Sequence, residues 1–506
     1  MRASIPNPKR LLPWAAIIGV GLLVRAALIG RLGTLWFDEA FSWRFARMPF
    51  FEMLELLRAD VHPPLHAVLL HYWMKLLGDG VTAFRLMSWS AAAAGLIALA
   101  LLGRRLIGKK PTFLAVTLAS LSPLMAYYGA DGRMYALVFL LSSLSALWFW
   151  SAVQGDETKR RPWFYASLAL VLTHVTGILP AAAQALFLLR HPERRASLKK
   201  LLPGFAVLAG VFLAWLIPTA AARLSYASGE WQFAAADNSV NAAAALTYWV
   251  WLGSGKMKIA AAFAFIILAL LAGTLRHSEH RPRFKLSEEG EFLAIWFALA
   301  FVPFLFLDAV PPRYLIAAIP PFFLLLAHGF MNAGRHKRLT LALGVFSAVL
   351  ISYHGLVVQL SSRPYEWDKA RDWIAERKRT EDRVVLGWFA DKMAFDALAA
   401  APFNRDPAAL GEISGLYPFD DELDEDARYV AHAGTLSISS SDFERLGPLF
   451  EGADRVFFIP NYDWTLADGG SASDALNDWL RENGWFLADR LEPSGRTQAV
   501  WLLARK

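Results

Sequence analysis

The sequence predicts a polytopic α-helical membrane protein of about eleven spans, followed by a C-terminal extracytoplasmic α/β domain. Three observations carry that expectation. Apolar residues come in blocks long enough to cross a bilayer, and basic residues gather in alternate connections between the blocks. Beyond residue 360 the blocks give way to charged sequence with short strand-like runs. The chain has 506 residues, of which 56% are hydrophobic and only 19% charged. A water-soluble chain of that length divides into several domains with more charged surface. The formal charge of +7 is spread over short loops and does not collect on one face or motif, so a nucleic-acid partner is not indicated. Cysteine is absent, which excludes disulfides and thiolate metal sites.

The first apolar block, 11–29, follows Arg2, Lys9 and Arg10 without a small-residue cleavage site, and reads as a retained span. Further spans are expected at about 84–102, 111–128, 134–153, 163–175, 178–189, 201–221, 259–275, 292–307, 314–331 and 339–358. The fifth and sixth are short and interrupted around His174 and Gly177, as in tilted spans or a helical hairpin that dips from one face. With the N-terminus in the cytoplasm, the alternate connections that become cytoplasmic are all basic. They carry Arg104, Arg105, Lys109 and Lys110; then Lys159 to Arg161; then Arg190, Arg194, Arg195, Lys199 and Lys200. Arg276, Arg281, Arg283 and Lys285 follow, and finally Arg335, Lys337 and Arg338. The opposite connections hold only scattered basic residues, so an odd span count in the cell membrane with an outer C-terminus is expected. This gives a membrane domain, 1–360, with a first outer loop at 31–83, and a soluble domain, 361–506. In the latter, RVVLGWF at 383–389, ARYVAHA at 427–433 and DRVFFIP at 454–460 read as buried strands of a mainly parallel sheet. DKMAFDALAAA at 391–401 and SASDALNDWLREN at 471–483 read as helices, the second with a serine N-cap and an end at Gly484.

Chemistry-bearing residues concentrate at the outer ends of the spans. Asp38 and Glu39 follow the first span in LWFDEAFSW. Asp60, His62, His66 and His71 lie in ADVHPPLHAVLLHYW, where Pro63 and Pro64 suit a helix start. Asp131, Arg133 and Tyr135 share the turn YYGADGRMYA. His174 falls at the outer end of the fifth span, and Arg313 and Tyr314 open the tenth in PPRYL. Singly, these read as helix caps, interfacial groups or lipid-headgroup anchors. Together on one face they suit a reaction on a membrane-borne phosphate donor. A carboxylate takes the proton of an attacking hydroxyl, and arginines hold a phosphate leaving group. A transporter or flippase of polyprenyl-linked glycans is the alternative, but charges are nearly missing from mid-span and no internal repeat is visible.

The motifs and their order resemble the C-type (GT-C) membrane glycosyltransferases that use polyprenyl-phosphate sugars. The nearest relatives look like the protein O-mannosyltransferase and lipid A aminoarabinose transferase group. FDEA, DVHPPLHAVLLHYWMKLLG, FRLMSWSAAAAG, SPLMAYYGADGRMYAL, LTHVTG and PPRYLIAAIPPFFLLLA follow the family's sequence of motifs, from the first span to Arg313. Asp131 stands where glutamate is more usual, with Gly132 between it and Arg133. The resemblance implies the GT-C fold and inverting transfer of one sugar from a polyprenyl phosphate to a hydroxyl of a glycan, lipid or protein. It implies Asp38 as general base within the acidic pair with Glu39, and Glu39 and Asp60 shaping the acceptor or metal side. Arg133 and Arg313 are the implied phosphate groups, with His62, Asp131, Tyr135, His174 and Tyr314 as binding groups. A divalent cation remains open: Asp38, Asp60, His62 and Asp131 offer suitable ligand atoms, and no spacing fixes a metal.

Overall fold

The computed structural model describes residues 8–58, 62–220, 287–306, 312–331, 342, 352–353, 355–361, 363–387, 394–395, 397–398, 410, 413–415, 440–460, 470–493 and 499–505. The expected eighth span, most of the eleventh, the 427–433 strand, most of the 391–401 helix and Asp60 lie outside them. Five helical stretches among the described residues are long and apolar enough to cross a bilayer: Leu11–Arg31, Val81–Leu106, Tyr135–Val153, Pro192–Leu216 and Arg313–Met331. Leu12, Leu23 and Leu213 on these helices are exposed, as lipid-facing side chains are.

The helices of the membrane part are α1 (Pro8–Arg31), α2 (Phe37–Arg47), α3 (Phe50–Leu57), α4 (Leu65–Leu77), α5 (Val81–Leu106), α6 (Lys109–Leu121) and α7 (Pro123–Tyr128). They continue with α8 (Tyr135–Val153), α9 (Arg160–Val171), α10 (Ile178–Arg190), α11 (Arg195–Leu216), α12 (Glu288–Phe301) and α13 (Ile319–Met331). Helix α8 is buried around most of its circumference, between α5, α9 and α10. Ser145, Ser167, Gln184 and Trp163 tie α8, α9 and α10 together by hydrogen bonds of 2.7–2.9 Å. Inside apolar surroundings each of these polar groups needs such a partner.

The expected third span is two helices. Pro123 forces Ser122 out of the helical region, and the Ser122 hydroxyl accepts from the Met125 amide to start α7. The carbonyls freed at the end of α6 are taken by the fully buried Arg25, which donates to Ser120 O at 3.0 Å and Ala119 O at 3.2 Å. The short fifth and sixth spans are α9 and α10, joined through a 3-10 turn at Val175–Gly177. Ahead of α13, Pro312–Ala318 also winds as a 3-10 helix, which carries Arg313 and Tyr314. The pair Pro63-Pro64 precedes α4 as its spacing predicts, with Pro64 at the N-cap.

The C-terminal part contains α14 (Trp367–Arg377), β1 (Arg383–Leu386), β2 (Ile413–Gly415), α15 (Leu446–Phe450), β3 (Arg455–Ile459), α16 (Ala472–Glu482), β4 (Trp485–Leu491) and β5 (Val500–Arg505). Ser471 caps α16 by accepting from the Asp474 amide, and the chain turns at Gly484 with φ +75°. The sheet order is β2-β1-β3-β5-β4. It is mixed, which corrects the expected mainly parallel arrangement: β1 pairs parallel with β2 and β3, while β5 runs antiparallel to both β3 and β4. The antiparallel half is the final β4–β5 ribbon, whose strand β4 is mostly exposed and lacks the continuous apolar run that a parallel strand buries.

The sheet does not stand apart from the loop helices. Trp367, Ala370 and Ile374 of α14, with Val384, Leu386 and Phe457, share one core with Phe41, Phe45, Met53, Leu70 and Phe84. Each large apolar side chain fully buried there contributes about 1.5–3 kcal/mol. Just before α14, Tyr365 crosses the end of α1. It pairs with Gly33, its carbonyl accepts from the Thr34 amide at 3.1 Å, and its ring stacks on Trp36. Gly33 has φ +77°, and a Cβ there would lie 2.0 Å from the Tyr365 carbonyl oxygen. Gly33→Ala is therefore expected to destabilise the protein by about 2 kcal/mol or more. Thermal unfolding in detergent checks this, and an unchanged midpoint removes the strap from the account.

Candidate functional site

The site begins with an ion pair between α2 and α5. Arg85 Nε donates to Glu39 Oε1 at 2.8 Å and Arg85 Nη2 to Glu39 Oε2 at 2.6 Å, with both side chains fully buried. The remaining Arg85 donors go to the carbonyls of Ile29, Gly33 and Thr34 at the end of α1. Glu39 Oε1 also accepts from the Gly132 amide at 2.8 Å. Gly132 is required there, because a Cβ would meet the Phe84 ring at 1.7 Å. The pair thus joins α1, α2, α5 and the 129–134 turn.

That turn delivers Asp131 and Arg133. Asp131 is fully buried; Oδ1 accepts from Trp36 Nε1 at 3.0 Å and Oδ2 has no hydrogen-bond partner. Burial and then the Glu39 carboxylate push its pKa well above the usual range, with Asp38 adding to this and the Trp36 bond and Arg133 opposing it. Arg133 Nη1 donates to the Asp38 carbonyl at 2.9 Å and to the Ser42 hydroxyl, while Nη2 lies 3.5 Å from His62 Nε2. His66, in the first turn of α4 and four residues past His62, is 3% exposed with Nε2 unpaired. Burial, together with the Arg133 charge and His62, drives the His66 pKa down to about 3, so its imidazole is neutral.

The opposite wall comes from α8, the α9–α10 turn and the 3-10 helix ahead of α13. His174 Nδ1 accepts from the Thr176 amide at 3.2 Å, which assigns the proton of the neutral ring to Nε2. Its ring lies 6.3 Å from His62, 6.0 Å from Tyr135 and 5.9 Å from Tyr314, centroid to centroid. The Tyr135 hydroxyl is buried and has no hydrogen-bond partner. Arg313 lies over the rings of Trp36 and Tyr314, and its Nη2 is 3.6 Å from Asp38 Oδ2. Beside this cluster, a groove of about 340 Å³ runs between α4, α5 and α8. Leu69, Tyr72, Leu76, Ala91 and Leu137 line it, and Arg133 lies at its wall.

Of the residues expected from sequence, the structure brings Asp38, Glu39, His62, Asp131, Arg133, Tyr135, His174, Arg313 and Tyr314 to one place. Glu39 is held differently from Asp38, since Arg85 and Gly132 occupy its oxygens. Arg85, Trp36, His66 and Tyr365 are not among the substrate-handling residues expected from sequence, where His66 is only one of the loop histidines, Arg85 part of FRLMSWSAAAAG and Trp36 an aromatic-belt residue. An arginine one turn into an apolar span is the signal that marks Arg85. For a metal, the group of acidic and histidine ligand atoms found among the described residues is His191, Glu193 and Glu288, at the far end of α10. There Arg194 already pairs with Glu288 at 2.7 Å.

Residues 61–221 match the family described as dolichyl-phosphate-mannose-protein mannosyltransferase. The fold is similar to the crystal structure of ArnT from Cupriavidus metallidurans bound to undecaprenyl phosphate. The TM-score is 0.59 at 13% identity, over 98% of each chain. The apo form of that protein gives a TM-score of 0.58 at 14% identity, over 96% of this chain and 97% of the other. The Archaeoglobus fulgidus oligosaccharyltransferase, in complex with Zn and sulfate, gives 0.52 at 12% identity, over 88% of this chain and 68% of the other. No curated protein matches the chain in sequence.

The state of His66 has a measurable consequence. As pH falls through about 6.5 the unfolded imidazole takes a proton, whereas the folded one stays neutral down to about 3. Stability is therefore lost over that window as pH falls. His66→Gln is expected to flatten the acid limb of a plot of unfolding midpoint against pH, with Asp131 unchanged in both proteins. Parallel acid limbs would contradict a neutral buried His66.

Proposed function

We propose, for a chain that belongs by fold to the C-type (GT-C) membrane glycosyltransferases, that it moves a single sugar from a polyprenyl-phosphate donor to an acceptor hydroxyl, with inversion, at the outer membrane face. The observation that carries this reading is the joining of an apolar groove to a polar pocket through Arg133. A donor with a long apolar chain and a phosphate head has that same division. The polyprenyl chain lies in the groove and the phosphate meets Arg133. Arg313, whose Nη2 lies 3.6 Å from Asp38 Oδ2, gives the phosphate a second guanidinium beside the carboxylate that meets the acceptor.

Asp38 then accepts the proton of the acceptor hydroxyl as its oxygen attacks the anomeric carbon. The bond from that carbon to the phosphate oxygen breaks, and its electron pair leaves with the polyprenyl phosphate. Arg133 and Arg313 hold the charge that develops on the leaving group. One displacement inverts the anomeric centre, and one catalytic base is enough for it. Glu39, with its oxygens engaged, acts as a positioning residue through Arg85 and Gly132. His174 Nε2 and the Tyr135 hydroxyl are donors for the sugar or the phosphate, while Tyr314 steadies Arg313 from its ring face. His62 and Asp131 complete the substrate-facing wall, and Asp60 keeps the acceptor-side or metal-side role that its motif implies. The basic alternate connections support a cytoplasmic N-terminus, with the α/β domain outside and available for acceptor choice.

Asp38→Asn is expected to lower transfer from a radiolabelled polyprenyl-phosphate sugar by about 10²–10⁴-fold. The variant should still reach the membrane and still bind polyprenyl phosphate. Near-normal turnover would remove Asp38 from the role of base. Arg133→Ala should weaken binding of polyprenyl phosphate itself, and undiminished binding would detach the groove from the donor.

A further inference from the structure

A second cavity, of about 780 Å³, opens between α9 and α11 at the end of the bundle away from the candidate site. Helix α9 separates the two. Arg160 at its first turn lines the cavity, and His174, just past its last turn, belongs to the site about 20 Å away along the helix. Both walls follow the same gradient. Arg160 and Arg161 on α9 and Lys200 on α11 come first in the chain; Phe164 and Val207 come one to two turns deeper. Tyr165 and Val207 are exposed, so the cavity opens sideways onto the region where lipid chains lie. Gly204 lets the Trp163 ring rest on the α11 backbone as the floor, since a Cβ there would lie 2.7 Å from the ring.

The charges at the mouth are organised. Glu157 accepts from Lys200 at 2.5 Å and also pairs with Arg160, which holds two cations around one carboxylate. Three basic groups against that single acid leave the mouth positive, and Lys200 and Arg160 each keep donors beyond those given to Glu157. The first turn of α9 adds the positive end of one helix dipole. Cations at the mouth, an aromatic and aliphatic interior, and a lateral opening match one chemistry. It is a phosphate head at the interface with acyl chains below it.

We propose that this cavity binds an anionic glycerophospholipid of the leaflet opposite the candidate site. The phosphate sits among Arg160, Arg161 and Lys200, and an acyl chain lies along Phe164 and Val207. The site is independent of the transfer reaction and is tested without it.

The test is native mass spectrometry of the full-length, delipidated protein titrated with phosphatidylglycerol or phosphatidylcholine of matched chains. The expected result is one site at least about tenfold tighter for phosphatidylglycerol. In the combined variant Arg160→Gln, Arg161→Gln and Lys200→Gln, that site should fall to the phosphatidylcholine level. Val207→Trp, which keeps every charge and fills the groove, should lose the same site. It carries the test if the triple variant does not fold. Free glycerol phosphate at lipid concentrations should not compete. Equal affinity for the two lipids, an unchanged triple variant, undiminished binding by Val207→Trp, or competition by free glycerol phosphate would each overturn the proposal.

Discussion

The buried pair of Glu39 and Arg85 is the constraint on which the rest of the site depends. A guanidinium and a carboxylate away from water are costly unless every donor and acceptor is used. Here Arg85 spends its donors on both Glu39 oxygens and on three carbonyls at the end of α1. Glu39 gains the Gly132 amide as well. Loss of one partner from such a pair costs about 3–5 kcal/mol, because the other is left charged and alone. The pair also sets direction. Successive residues on a helix are turned by about 100°, so fixing Glu39 inward on α2 turns Asp38 away from Arg85 and toward Arg313. An acidic pair in sequence is therefore two different groups in space, one structural and one facing the pocket.

The same frame leaves particular atoms unpaired. Asp131 Oδ2, the Tyr135 hydroxyl and His66 Nε2 are buried without hydrogen bonds, and all three lie around the pocket. Each such atom costs about 1–3 kcal/mol, a cost that a purely structural core avoids. Polar groups of a substrate in the pocket would relieve these three. Elsewhere in the bundle other buried polar atoms, among them Arg25 Nε and the Ser142 and Ser120 hydroxyls, also lack a partner, beside the satisfied serine and glutamine network of α8 to α10.

Much of this was legible in the sequence, and the reason is periodic chemistry. Apolar blocks of bilayer length located the helices of the described spans, and the serine before ASDALNDWLRE marked the start of α16. Charged residues at block ends located most of the residues that the structure brings together around Asp38 and Arg133, since a membrane leaves few other places for them. Pairwise geometry was not legible. Nothing in the string FDEA tells which acid meets Arg85, because that partner lies 46 residues away. The strap of Tyr365 on Gly33 likewise joins segments far apart in the chain. The mixed sheet was missed because apolar strand runs fix burial and leave direction to the connections.

The central claim is that Arg133 and Arg313 hold a lipid phosphate beside Asp38, with its chain in the groove between α4 and α5. A cryo-EM structure of the protein in nanodiscs with added polyprenyl phosphate measures this directly. The account predicts phosphate density within about 3 Å of the two guanidiniums and chain density along Leu69, Leu76 and Ala91. Phosphate bound at another place, away from both guanidiniums, would contradict it.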